Sequence, residues 1–154
     1  NLIEKEPLML LEDIEKEWAI DSVISNLKLD NESLKIPKLH SKYYSYLINE
    51  KLVHVKIKKK LEEREYVLEQ FYKKTLTVEE LNEHKLPLIQ DKKILTGEIP
   101  RVIANQPDII ELKTKLSVQS IKIDFLDSIM KTIHNRNWVI RDAIEWRKFE
   151  NGGN

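Results

Sequence analysis

No cysteine occurs anywhere in the chain, which excludes a disulfide framework and thiolate chemistry and fits a reducing compartment. Glycine is nearly absent as well. Of the three present, two lie in the last three residues, too few to build a Gly-rich phosphate loop or a nucleophile elbow. No apolar run approaches the roughly 20 residues that cross a bilayer, so no membrane partner is expected. Nor is a secretory signal legible, because Asn1–Leu11 is interrupted by Glu4, Lys5, Glu6 and Pro7. His40, His54, His84 and His134 have no helical i, i+4 partner, which argues against zinc. Asp124 and Asp127 share a helical face, but acids one turn apart read as surface. The expectation is a protein that is not an enzyme, with no catalytic residue, no metal and no cofactor.

What the chain has is charge and periodicity. It is 154 residues long, one domain or one domain with a small terminal module, and 34% of it is charged, which favours long exposed helices. The net charge is zero but unevenly placed. Residues 1–34 carry nine acidic and three basic side chains, a net of −6, whereas residues 51–74 carry eight basic and four acidic, a net of +4. That asymmetry points to one region that attracts polyanions and another that repels them.

The strongest periodicity lies in Asp108–Phe149, which contains neither Gly nor Pro. Ile109, Leu112, Leu116, Gln119, Ile123, Leu126, Met130 and Ile133 step by three and four residues, a heptad seam with one polar interruption at Gln119. Ile110, Leu116, Ile121, Phe125 and Ile129 widen the stripe beyond what one partner helix covers. Leu112, Leu116, Ile123, Leu126, Met130 and Ile133 are therefore expected between copies of the chain. Asn135-Arg136-Asn137 interrupts the pattern with two residues that tolerate left-handed backbone angles, predicting a helix–joint–helix. Trp138, Ile140, Ile144 and Phe149 resume it; Trp138, Ile140, Ile144 and Trp146 are also expected between copies, with Trp138 and Trp146 folding back onto a neighbour.

Upstream, residues 8–21 read as a short amphipathic helix with Leu8, Leu11, Ile14 and Trp18 on one face. A polar segment with a turn signal at Asp30-Asn31-Glu32-Ser33 follows, and Pro37 opens a helix reaching about Lys74. Glu50 and Arg64 occupy positions that its heptad would want apolar. Thr77-Val78-Glu79-Glu80 matches a capping box for a short helix to about His84. Leu86-Pro87-Leu88 and Gln90-Asp91-Lys92-Lys93 read as irregular, Arg101–Asn105 as one helical turn, and Pro107-Asp108 as the start of the main helix.

The basic cluster sits in the middle of the earlier long helix: Lys51, Lys56, Lys58, Lys59, Lys60 and Arg64, with Lys73 and Lys74 beyond. At about 100° per residue Lys56, Lys59 and Lys60 share a face. Tyr66, Phe71 and Tyr72 lie near the same end, and lysines interleaved with rings suit single-stranded nucleic acid. Lys56, Lys58, Lys59, Lys60, Arg64, Tyr72, Lys73 and Lys74 are the expected nucleic-acid contacts. The competing reading is a solvated face, with Glu62, Glu63, Glu65 and Glu69 pairing at i, i+4.

The text Ile133-His134-Asn135-Arg136-Asn137-Trp138-Val139-Ile140-Arg141-Asp142-Ala143-Ile144-Glu145-Trp146-Arg147-Lys148-Phe149 resembles the C-terminal N-N-R-aromatic-x-I-K-x-A-I-x-W-x-x-F pattern of the UvsY family of phage recombination mediators. Glu32–Tyr44, Asp108-Ile109-Ile110 and Ile123-Asp124-Phe125-Leu126 look similar too, and the likeness runs from about Glu12 to Gly152. The resemblance implies an all-α, non-enzymatic protein whose C-terminal helices assemble a ring-like homo-oligomer, hexameric or heptameric. It also implies binding to single-stranded DNA, and the loading of a phage recombinase onto DNA coated with phage single-strand-binding protein, in recombination and repair in the cytoplasm of an infected bacterium. The family's DNA motif is a Lys-x-Arg before a paired aromatic. Phe71-Tyr72 resembles the pair, but Tyr66 and Leu68 stand where the Lys and Arg would be. The resulting division is an acidic N-terminal helix and linker (1–35), a basic helix and connector for DNA (36–105), and oligomerisation helices (106–154). The alternative is a helical scaffold without specific DNA binding.

Overall fold

The computed structural model describes residues 9–88 and 94–152, and every regular element among them is helical. The helices are α1 (Leu11–Asp21), α2 (Leu29–Tyr72), α3 (Val78–Glu83), α4 (Ile99–Ala104, entered through a 3₁₀ turn at Thr96–Glu98) and α5 (Pro107–Glu150). Leu8, the charged start of the chain and the Gln90–Lys93 segment lie outside the described residues. Two compact units emerge, Asn1–Asn49 with Lys122–Asn154, and Glu50–Ile121. They cut across the three-part division, because each long helix contributes to both.

In the first unit the i, i+4 line Leu39, Tyr43, Leu47 on α2 packs with Leu126, Ile129 and Ile133 on α5, and Ile14 of α1 closes the cluster. Helix α1 is also tied down by polar groups. Trp18 meets the Tyr43 ring edge-on at 5.2 Å, and the Tyr43 and Tyr46 hydroxyls donate to Asp21 and Glu17, each at 3.0 Å. Lys42 bridges both acids at 2.7 and 2.8 Å. Its hydrogen bond holds the Asp21 carboxyl below the ordinary range against the opposing effect of burial.

Three expectations are corrected in this unit. The polar stretch before Pro37 is helix, not linker: α2 begins at Leu29, and Pro37 lies inside it. Leu29 is buried there, and Asp30 and Glu32 sit favourably in the first turn. These contacts outweigh the backbone hydrogen bond that an interior proline forfeits.

The second correction is the joint. Helix α5 runs unbroken through Asn135-Arg136-Asn137. Two asparagines inside a helix cost only about 0.7 kcal/mol each relative to Ala. Arg136, 4% exposed, donates to the Ser22 and Val23 carbonyl oxygens at 3.0 Å each and to the Glu32 carboxylate at 3.1 Å. Three charge-assisted bonds exceed that propensity cost and hold the helix in register.

The third is the seam. Leu126 is 0% and Ile133 1% exposed within a single chain, Ile140 is equally buried, and Ile123 and Met130 pack against the same cluster. Leu126 and Ile133 are covered by α1 and α2 of their own chain, which leaves them no surface for a second subunit, whereas Ile110 and Ile121 of the widened stripe stay 51% and 57% exposed.

The second unit buries Leu61 and Leu68 of α2 with Ile99, Ile103 and Ile109, and Leu112 and Leu116 pack partly against them. The polar heptad positions answer each other. Buried Gln119 donates to the Glu50 backbone carbonyl at 2.8 Å and to the Glu50 carboxylate, and Arg64 donates to Asp108 at the start of α5. Helix α3 carries the expected capping box, with Thr77 and Glu80 each serving the other's backbone N–H. Lys74, at φ 58°, ends α2 in the left-handed conformation usual just past a helix.

Candidate nucleic-acid interface

The midsection of α2 presents a run of exposed lysines in the second unit. Lys51, Lys56, Lys58, Lys59 and Lys60 are all exposed, Lys59 with 75% of its side chain in solvent. Lys58 and Lys59 approach Glu62 and Glu63 at 3.9 and 3.6 Å, long contacts on an exposed face where such pairs contribute little. Lys56 and Lys60 make no ion pair among the described residues. Four ammonium groups within two helical turns thus remain available to a polyanion.

The rest of the expected site is differently placed. Arg64 is half-buried on Asp108 and helps dock α5, which removes it from the free cations. Lys73 pairs with Glu69, and Lys74 is exposed beyond the helix end. Tyr72 is no open stacking platform. Its ring packs beside the second unit's core and edge-on to Phe71 at 5.1 Å, and its hydroxyl accepts from Gln106 Nε2 at 2.8 Å. The ring that does face solvent is Tyr66, 63% exposed. Sequence reasoning counted it among nearby aromatics without placing it in the site. The signal was present, since Lys59, Tyr66 and Lys73 recur every seven residues, and so fall on one helical line about 10 Å apart.

At the other end of α5, Trp138 and Trp146 are exposed and Ile144 is half-buried. Trp138, Val139, Trp146 and Phe149 fall within about 100° of arc, on the side away from buried Arg136 and Ile140. The Arg141 guanidinium lies 4.2 Å from the Trp138 ring centroid, and Trp146 and Phe149 sit 5.7 Å apart. Among the described residues no group of His, Asp or Glu could hold a metal ion, and no helix is long and apolar enough to cross a membrane.

The described residues form only helices, and the two 44-residue ones expose a lysine row on one and an aromatic face on the other, the make-up of a helical binding protein. The chain is a member of the UvsY family of recombination, repair and ssDNA binding proteins, whose family model matches residues 17–153. Its fold is that of the bacteriophage T4 recombination mediator protein UvsY. Against one crystal form the TM-score is 0.79 at 22% identity, covering 94% of this chain and 99% of that one. A second form gives 0.75 at 20% identity, covering 90% and 98%. Comparison of the sequence with curated proteins gives no match.

Proposed function

We propose that this chain is a phage recombination mediator that binds single-stranded DNA through the α2 lysines and promotes loading of a recombinase onto strands coated with single-strand-binding protein. The observation that carries this reading is the row Lys56, Lys58, Lys59 and Lys60, exposed and poorly paired on a helix whose opposite side is anchored in the core. Family membership supplies the ligand class. A homo-oligomeric ring would repeat the row, and the effective concentration of neighbouring sites would raise avidity without any new contact. The aromatic face of Trp138, Val139, Trp146 and Phe149 is the surface we assign to contacts between copies, since large apolar side chains grouped in solvent mark an interaction site. DNA binding then belongs to the 36–105 stretch and assembly to the end of the 106–154 stretch, in the cytoplasm of the host.

The test is a salt titration of binding to a single-stranded oligonucleotide. Replacing Lys59 and Lys60 by Ala should weaken binding to every sequence alike and flatten the slope of log K against log salt, by about 0.7 per lost phosphate contact. An unchanged slope, with assembly intact by light scattering, would leave the lysines as a solvated face and favour the scaffold reading.

A further inference from the structure

An open groove of about 620 Å³ runs beside the lysine row, between α2, α4 and the start of α5, wholly inside the second unit. Its floor is apolar, made by Ile99, Pro100 and Ile103, and the exposed Tyr66 ring stands at its edge. Its walls carry Glu62, Glu65 and Glu69. Each of these carboxylates faces a lysine: Glu62 meets Lys58 at 3.9 Å, Glu65 meets Lys113 at 3.0 Å, and Glu69 accepts from Lys73. The charge of the groove is therefore nearly cancelled, so it neither draws a phosphate as the open lysine row does nor strongly repels a strand passing over it. The carboxylate oxygens left unused by single-point pairing remain hydrogen-bond acceptors.

A flat, neutral group bearing an amine suits such a place: an apolar floor below it, a ring to stack on, and acceptors at its edge. We propose that the groove receives one unpaired nucleobase of the bound strand, stacked on Tyr66, with a wall carboxylate accepting from an exocyclic amine. This rests on the DNA-binding reading above and extends it. Continuity supports the assignment, because Lys59, Tyr66 and Lys73 share one helical line, so a strand held on Lys59 and followed along α2 reaches the groove about 10 Å further on. The groove thereby confers a preference that phosphate contacts cannot. Cytosine and adenine present an amine to the carboxylates, whereas thymine presents only carbonyl acceptors and a ring N–H on its pairing edge.

The experiment compares oligo-dC and oligo-dT of equal length by fluorescence anisotropy, at a salt concentration where the wild-type oligomer binds both. Wild type should favour dC by roughly five-fold, the worth of one net hydrogen bond. Tyr66→Leu, at an exposed position, should weaken binding to both at least five-fold with the salt slope unchanged, because stacking releases no counterions. The double variant Glu65→Gln/Glu69→Gln should bring the dC-to-dT ratio near one, since an amide can accept from cytosine and donate to thymine alike. Equal binding of dC and dT by wild type, or full binding by Tyr66→Leu, overturns the groove as a base site. If Lys59→Ala/Lys60→Ala still flattens the salt slope in that event, the proposed function stands and only the groove assignment falls. Absence of any single-strand binding by wild type sinks both.

Discussion

Replacing Arg136 by Met should destabilise the first unit more than any surface change on α5. The guanidinium is buried and makes three hydrogen bonds, to the carbonyl oxygens of Ser22 and Val23 and to Glu32, which is itself 1% exposed. Methionine fills much of the volume but donates nothing. Breaking a buried pair from one side typically costs about 3–5 kcal/mol. Lys35 still reaches Glu32 at 2.7 Å, and Val23 lies at the surface where water can replace a bond, so the lower end, about 3 kcal/mol, is the expectation. For a chain of this length that corresponds to a fall in Tm of roughly 6–12 °C. Urea unfolding of the variant and wild type, at one protein concentration to hold assembly constant, measures it. Hydrogen exchange should accelerate first in residues 22–35 and 133–140. The double variant Arg136→Met/Glu32→Leu should recover at least about 1 kcal/mol relative to the sum of the single losses, because neither charge is left behind. A loss below about 1 kcal/mol for Arg136→Met, or additive singles, would refute the idea that this node holds α5 straight and pins the start of α2.

Other expectations bear on the same architecture. Both Asp21 and Glu32 titrate below their ordinary values, Asp21 through the Lys42 hydrogen bond and Glu32 through the Lys35 bond, with Arg136 adding to it. Their stabilisation is complete above the unfolded-state carboxyl range and is lost as pH falls through the depressed folded values. Chemical denaturation midpoints should therefore drop below about pH 4, and the drop should shrink in Glu32→Gln. Leu126→Asp places a charge in a site that is closed within one chain, so circular dichroism should show unfolding of the first unit, whereas loss of oligomer mass with normal helicity would return the residue to a subunit interface. Trp138→Ser with Trp146→Ser should leave thermal stability within about 1 kcal/mol while lowering the mass in sedimentation. Retention of the wild-type mass would remove that face from assembly.

Much of the fold was legible because helices announce themselves locally. The three- and four-residue steps of α5, the capping box at Thr77 and the proline start at Pro107 each depend on residues within one or two turns, and each element stands where the spacing put it. The exposed lysine row is of the same kind, since a run of lysines at one helical stretch cannot all be buried. Tertiary structure decided the rest. Periodicity says that a stripe is buried but not by what, so Leu126 and Ile133 read as a subunit seam until α1 and α2 were seen to cover them. Asparagine propensity marked a joint at Asn135, yet three hydrogen bonds from Arg136, to groups more than 100 residues earlier in the chain, outweigh it. Glu50, Arg64 and Gln119 each looked misplaced alone, and became intelligible only as the partners Glu50–Gln119 and Arg64–Asp108. Spacing sets Tyr66 on the Lys59–Lys73 line, but its exposure was decided by tertiary contacts, because Gln106 and the second core claim Tyr72 and leave Tyr66 to solvent. Local sequence sets backbone preference and facial pattern at tenths of a kcal/mol per residue. Long-range pairs contribute one to several kcal/mol apiece, and they prevail wherever the two conflict.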